Sequence, residues 1–400
     1  MKRYVIVLIV FIGIVSEIYG QIDYLNLSDS SKTLVGASRI GDYSTYLNGK
    51  QVAIVGNQTS VIGNTHLVDT LVSLGVTISK IFCPEHGFRG EAEAGAKVNS
   101  SVDLKTGISI VSLYGNNKKP TQEQLSGVQI VLFDLQDVGV RFYTYISTLH
   151  YVMEACAENN IPLIVLDRPN PNGYFVDGPT LKSDCKSFVG MHPVPIAYGL
   201  TIGEYAQMIN GEKWLKNGVQ CKLTVVSALN YSHNTRYHLP IAPSPNLQTM
   251  RSIYLYPSLC LFEGTPISIG RGTNTPFEIV GNPKLEISDF SFTPHAIPGK
   301  SDNPPCKDQL CKGYDLGEFS EQYLRKSNGI IIFWIIDLYK KYPDKKEFFT
   351  PFFDKLAGDK SLKEMIIAGK TEEQIRASWQ LELKAFKVIR KKYLLYPDFE

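Results

Sequence analysis

The sequence contains no G-x-G-x-x-G dinucleotide loop, no phosphate-cradling P-loop, no G-x-S-x-G nucleophile elbow and no H-E-x-x-H zinc helix. A strand–helix chain without a phosphate-binding loop is not expected to use NAD or ATP. Histidine is scarce, seven in 400 residues and scattered, which argues against a multi-histidine metal centre. Neither sign of charge is in excess, with 41 Lys and Arg against 39 Asp and Glu. A nucleic-acid binder usually shows a basic stripe. The one dense basic run, Arg390-Lys391-Lys392, closes a helical pattern, where cations complement the helix C-terminus. After residue 20 no apolar run approaches the length of a membrane span. Internal repeats and low-complexity tracts are also missing.

What is present begins with a leader. Lys2 and Arg3 precede an apolar stretch from Tyr4 to Val15, too short to span a bilayer comfortably, followed by Ser16-Glu17 and Gly20-Gln21. Residues 1–20 are therefore expected to be a cleavable signal peptide. No Cys follows the apolar run, so no lipid anchor is expected after cleavage, and the mature chain is expected in a bacterial periplasm or secreted. Seven Cys remain, most inside apolar runs, where they read as small buried hydrophobes. Cys306 and Cys311, in a loop with Pro304-Pro305, are candidates for a local disulfide.

Short apolar runs alternate with helical patterns through the first half. Strands are expected at 51–56, 78–82, 108–113, 128–133 and 161–166, and helices at 67–75, 144–158 and 201–215. This alternation predicts a parallel sheet with right-handed crossovers. The segment 174–240 otherwise reads as loops. Past Pro240 the chain turns Pro- and Gly-rich, and the last hundred residues are helical and charged. Thr371 with Gln374 forms a capping box ahead of an apolar stripe, Ile375, Trp379, Leu383 and Phe386, which reads as core. The expected organisation is α/β: a catalytic domain over 21–240 and a smaller α+β domain over 241–400.

Polar residues follow the strands: Asn57-Gln58-Thr59, Glu85-His86-Gly87, Asp134 to Asp137, and Asp167-Arg168-Pro169-Asn170. Ligands of open α/β sheets bind beyond the carboxyl ends of the strands, so these clusters point to one site. In Pro84-Glu85-His86-Gly87-Phe88-Arg89-Gly90 a carboxylate flanked by Phe82 and Phe88 is a candidate general acid, with His86 to orient it or shuttle protons. Residues 134–145 pack Asp134, Gln136, Asp137, Arg141, Tyr143 and Tyr145 together, although Asp137 also suits a structural helix-capping role. Glycoside hydrolysis needs two carboxyl groups flanking one bond. Glu85 and Glu263 make a natural pair, with Glu278 and Asp137 as competitors that linear spacing does not separate.

These stretches, together with Asp167-Arg168-Pro-Asn170-Pro-Asn172-Gly173, Pro243-Ser-Pro-Asn246, Tyr256-Pro-Ser-Leu-Cys260-Leu-Phe-Glu263-Gly264-Thr265 and Gly270-Arg271-Gly272-Thr273, resemble the NamZ-type exo-β-N-acetylmuramidases, formerly a domain of unknown function. The resemblance runs from about residue 35 to the C-terminus. Cys83 stands where Gly is usual and Val140 where Ala is common; neither change removes a polar group. The resemblance implies a Rossmann-like N-terminal domain, an auxiliary C-terminal domain and an active site in the cleft between them. It implies release of β-linked N-acetylmuramic acid from the non-reducing end of peptidoglycan fragments, without cofactor or metal, with Glu85 catalytic. The lactyl carboxylate of that sugar calls for a cation, ideally a bidentate Arg, for which Arg89, Arg141, Arg168 and Arg271 are candidates. Asn57, Gln136, Tyr143, Tyr145, Asn170 and Asn246 are candidates to hold the acetamido group and ring hydroxyls. A non-catalytic muropeptide-binding protein is the alternative, since it would keep the Arg and Tyr residues but not need Glu85. An esterase using Ser244 or Ser268 lacks both an elbow and an evident His partner.

Overall fold

The computed structural model describes residues 32–85, 87–89, 101–287 and 289–400. The leader and His86, on which two expectations rest, lie outside the described residues. Six parallel strands make the main sheet: β1 (Val52–Gly56), β2 (Ile78–Cys83), β3 (Ser109–Ser112), β4 (Ile130–Asp134), β5 (Leu163–Leu166) and β6 (Leu223–Val226). Their order across the sheet is β3-β2-β1-β4-β5-β6, with the two-residue strand Ser101–Val102 antiparallel on the β3 edge. This 3-2-1-4-5-6 order is that of Rossmann sheets, and it reverses direction between β1 and β4. Five of the six strands were expected from apolar runs. The sixth was missed because β6, Leu223-Thr-Val-Val226, lies at the sheet edge and only Val226 is buried.

The central strands are buried along their whole length, as fits a sheet covered on both faces. Side chains alternate between those faces. Val52, Ile54, Ile130, Leu132, Ile164 and Leu166 face a core shared with α1 (Ile40–Leu47) and α2 (Leu67–Ser73). Ala53, Val55, Val131, Phe133, Leu163 and Val165 face the opposite core, under α3 (Tyr145–Glu158) and α4 (Ile202–Gly211). That second core runs without a break into the C-terminal half. There α5 (Met250–Leu259) precedes an antiparallel sheet of β7 (Ile279–Asn282), β8 (Ser291–Phe292) and β9 (Cys311–Asp315), in the order β7-β9-β8. Then follow the short helices α6 (Glu321–Lys326), α7 (Phe333–Lys341), α8 (Pro351–Ala357) and α9 (Lys360–Ile367), and the long α10 (Glu372–Arg390).

The expected capping box of Thr371 with Gln374 forms on α10, and two more cap α4 (Thr201 with Glu204) and α5 (Thr249 with Ser252). Ile375, Trp379, Leu383 and Phe386 are all buried against the shared core. The chain near residue 240 is tied to the sheet, because the Gln58 amide donates to the carbonyls of Ala242 and Pro243, both at 3.3 Å. All seven cysteines are free thiols. Cys306 and Cys311, the candidates for a local disulfide, are not joined: the Cys306 thiol donates to the Pro266 carbonyl at 3.8 Å and the Cys311 thiol to the Gln309 carbonyl at 3.6 Å. No helix among the described residues is long and apolar enough to cross a membrane.

Candidate active site

A cavity of about 440 Å³ is lined by residues that follow β2, β3 and β4 and, on its other side, by residues of the C-terminal half. Glu85 and Tyr114 line it from the sheet, Phe142, Tyr143 and Tyr145 from the segment leading into α3, and Phe188 and Val189 from the long loop after β5. Ser244, Tyr256, Glu263, Arg271 and Phe277 come from beyond residue 240, with the turn carrying Lys300 to Asn303. Its volume suits a small ligand, and its aromatic walls suit the apolar faces of a pyranose ring.

Glu85 stands directly after β2, half-buried. The loop that follows is held from below. The Gly87 amide donates to the Pro84 carbonyl at 3.3 Å, and Phe88 packs edge-on against the His66 ring. Arg89 pairs with Asp103 at 2.9 Å and with Asp69 at 3.4 Å. The Arg89 guanidinium thus anchors the loop from outside the cavity lining. Tyr114 hydrogen-bonds Glu85, and burial, then the Glu85 charge, raises its hydroxyl pKa. Glu263 lines the same cavity, and its Oε1 accepts from Arg271 Nε at 3.0 Å and Nη2 at 2.6 Å. Burial works against the Arg271 charge, and the Glu263 carboxylate more than restores it. Of the carboxylates singled out in the sequence, Glu85 and Glu263 share the cavity.

The other two are engaged elsewhere. Glu278 is buried against Thr249 and Arg251, with a 3.2 Å contact to the Arg251 Nη1. Asp137 lies in the interior, where its Oδ2 accepts from the Gly139 amide at 2.7 Å and from the Tyr198 hydroxyl, and burial pushes its pKa up to about 7.

Several expected ligand contacts prove to be structural. Arg141 is fully buried and donates to four backbone carbonyls, those of Pro179, Val194, Leu356 and Ala357, at 2.6–3.0 Å. Burial pushes its pKa down to about 10. Arg168 makes a two-pronged pair with Asp134 at 2.5 and 2.9 Å and donates to the Val61 carbonyl. Gln136 donates to the carbonyls of Asp137 and Pro169, and Asn170 to that of Leu200. Asn57 is buried, with Nδ2 on the Tyr145 hydroxyl at 2.6 Å and Oδ1 accepting from Thr59. Tyr143 and Tyr145 do line the cavity, but both hydroxyls donate to the Pro243 carbonyl, at 2.8 and 3.4 Å, so their rings form the wall. Asn246 donates to the Lys300 carbonyl at 2.9 Å and so holds the turn that bounds the cavity. Spacing placed these residues near one another correctly, yet it carried no information on which way each side chain points.

Sequence reasoning missed Tyr114, Phe188, Phe277 and the 300–305 turn. Their cue was available only for the turn, in Pro298-Gly299 ahead of a polar tetrad. Among the described residues no cluster of three or more His, Cys, Asp or Glu side chains is placed to hold a metal ion.

Two acidic side chains lining one aromatic-walled cavity, beyond the strand ends of a Rossmann sheet, supply the pair of carboxyl groups that a glycoside hydrolase needs. Comparison with known proteins narrows this. Residues 52–251 match the N-terminal region of the family described as "Exo-beta-N-acetylmuramidase NamZ", and residues 254–396 match its C-terminal region. The chain belongs to that family. It is 40% identical over 376 residues, 89% of each chain, to the peptidoglycan beta-N-acetylmuramidase NamZ of Bacillus subtilis (strain 168). Two crystal structures of DUF1343 family proteins from Bacteroides fragilis NCTC 9343 share the fold. One has a TM-score of 0.86 at 44% identity, covering 92% of this chain and 99% of that one. The other has a TM-score of 0.76 at 28% identity, covering 91% and 99%.

Proposed function

We propose that this chain is an exo-acting β-N-acetylmuramidase that releases N-acetylmuramic acid from the non-reducing end of peptidoglycan fragments. It is a glycoside hydrolase and needs no cofactor for this chemistry. The observation that carries the reading is that Glu85, at the end of β2, and Glu263 line one cavity, in a chain of the NamZ family. Glu85 donates a proton to the glycosidic oxygen as the anomeric C–O bond breaks, and water adds to the anomeric carbon while giving up a proton to a carboxylate of the pair, the acid/base roles of glycosidase carboxylates. Glu263, fixed by Arg271, is the second carboxylate of the cavity. The aromatic rings orient the sugar. The leader supports export, so the site of action proposed is the periplasm or the exterior of a bacterial cell.

The test is release of nitrophenol from a β-linked nitrophenyl N-acetylmuraminide by residues 21–400, beside the matching N-acetylglucosaminide and a Glu85→Gln variant. Turnover of the muraminide, absent in the variant, is the expected result. Wild-type protein that leaves both glycosides intact would overturn the reading.

A further inference from the structure

N-acetylmuramic acid differs from N-acetylglucosamine by a lactyl ether that ends in a carboxylate. The cavity has formal charges of both signs: Glu85, Glu263 and Asp302 against Arg271 and Lys300. An anion entering it meets more carboxylates than cations, so it must be seated at a cation whose charge is not already spent. Arg271 is not that cation, because two of its nitrogens converge on Glu263 Oε1 at 3.0 and 2.6 Å. Arg89, Arg141 and Arg168 are committed to Asp103, to backbone carbonyls and to Asp134, away from the cavity. Lys300 lines the cavity, and its ammonium group has no ion pair among the described residues.

The backbone under Lys300 is built to hold position. Ile297-Pro298-Gly299-Lys300 is a tight turn in which Pro presets the second residue and Gly299, at φ +74°, takes the left-handed third. The Lys300 amide closes it on the Ile297 carbonyl at 3.0 Å. Ile297 and Ser301 exchange amide and carbonyl bonds at 2.9 and 2.8 Å. Asn246 then pins the Lys300 carbonyl to the 243–246 loop, at 2.9 Å, beside the cavity-lining Ser244. The backbone is thereby fixed while the four-carbon stem is left to reach a ligand.

We propose that Lys300 is the specificity-determining residue of the cavity, binding the lactyl carboxylate and so separating muramic acid from glucosamine. This rests on the muramidase reading for the identity of the ligand. It places the carboxylate on the wall contributed by the 297–303 turn and keeps it apart from the Glu263–Arg271 pair.

Binding, which does not depend on turnover, tests it. Calorimetric titrations would compare free N-acetylmuramic acid, its lactyl amide and N-acetylglucosamine against the wild-type chain, Lys300→Met and Lys300→Arg. The wild type is expected to prefer the acid over the amide by about 10- to 100-fold, the range of one charge-assisted hydrogen bond. Lys300→Met should bring that ratio close to one by weakening the acid alone, and Lys300→Arg should keep most of it. A Lys300→Met protein that retains the wild-type preference, or a wild type with none, would overturn the assignment. Failure of the muramidase reading shows separately, as a wild type that binds the acid but leaves the nitrophenyl muraminide intact.

Discussion

At the scale of single residues, the two buried carboxyl types of this protein behave in opposite ways. Glu85 is half-buried at a cavity mouth, and replacing it with Gln keeps its size while removing the exchangeable acid. We expect kcat on the muraminide to fall by roughly 10²- to 10⁴-fold with little change in melting temperature; a variant within threefold of wild type would remove Glu85 from the chemistry. Asp137 is the contrary case. Burial lifts it from 3.8 to about 7, so the fold prefers its neutral form. A carboxyl whose folded pKa lies above its unfolded one contributes stability that is complete below about pH 4 and is lost as pH rises towards 7. Asp137→Asn keeps an oxygen for the Gly139 amide and the Tyr198 hydroxyl but abolishes the titration. Its melting temperature relative to wild type should therefore be higher at pH 8 than at pH 5, by an amount on the order of a few kcal/mol in stability. An offset that stays constant between those pH values would show that Asp137 does not titrate in this window.

At the scale of elements, turn chemistry and strand ends explain both what the sequence revealed and what it hid. Five of the six parallel strands were legible because each falls in an apolar run; β6, with only Val226 buried, was not. The expected convergence of the polar strand ends on one site holds for Glu85 alone, because the clusters after β1, β4 and β5 turn inward to bond one another and the backbone. Side-chain direction was not legible. Arg141 looked like a carboxylate binder, yet its guanidinium knits α8 to the loops at Pro179 and Val194 by donating to backbone carbonyls. No pattern in its own segment encodes a partner more than 200 residues away. Gly358, the left-handed cap of α8, belongs to the same knot: a Cβ there would lie 2.2 Å from Arg141 Nη2. Gly369 also has a positive φ, but a Cβ there would meet nothing within 4 Å. Both Gly→Ala changes carry the left-handed backbone cost of about 1 kcal/mol, and Gly358→Ala should cost clearly more in urea unfolding because the guanidinium cannot move aside. Equal losses at the two sites would mean that Arg141 is looser than its bonds suggest.

At the scale of the whole molecule, one core extends from the sheet into the C-terminal helices, and the last residues return to the sheet. The Tyr396 hydroxyl donates to Asp167 Oδ2 at 2.5 Å just past β5, and Arg390 holds Asp398 through two nitrogens at 2.8 and 2.7 Å. Calorimetry should accordingly show a single unfolding transition, with calorimetric and van't Hoff enthalpies in agreement; two resolved transitions would mean that the halves are separable. The family signatures divide the chain between residues 251 and 254, but α5 (Met250–Leu259) crosses that point and is buried along most of its length. The cavity inherits this dependence. Its first carboxylate is made early in synthesis and its second, with Arg271 and Lys300, more than 170 residues later, while two of the four carbonyls that fix Arg141 come later still. A ribosome that has completed only the Rossmann half has made a sheet with half a cleft. Under the proposed function, a growing chain is harmless to the wall polymer until nearly its last residue has been added, and a prematurely ended one stays so.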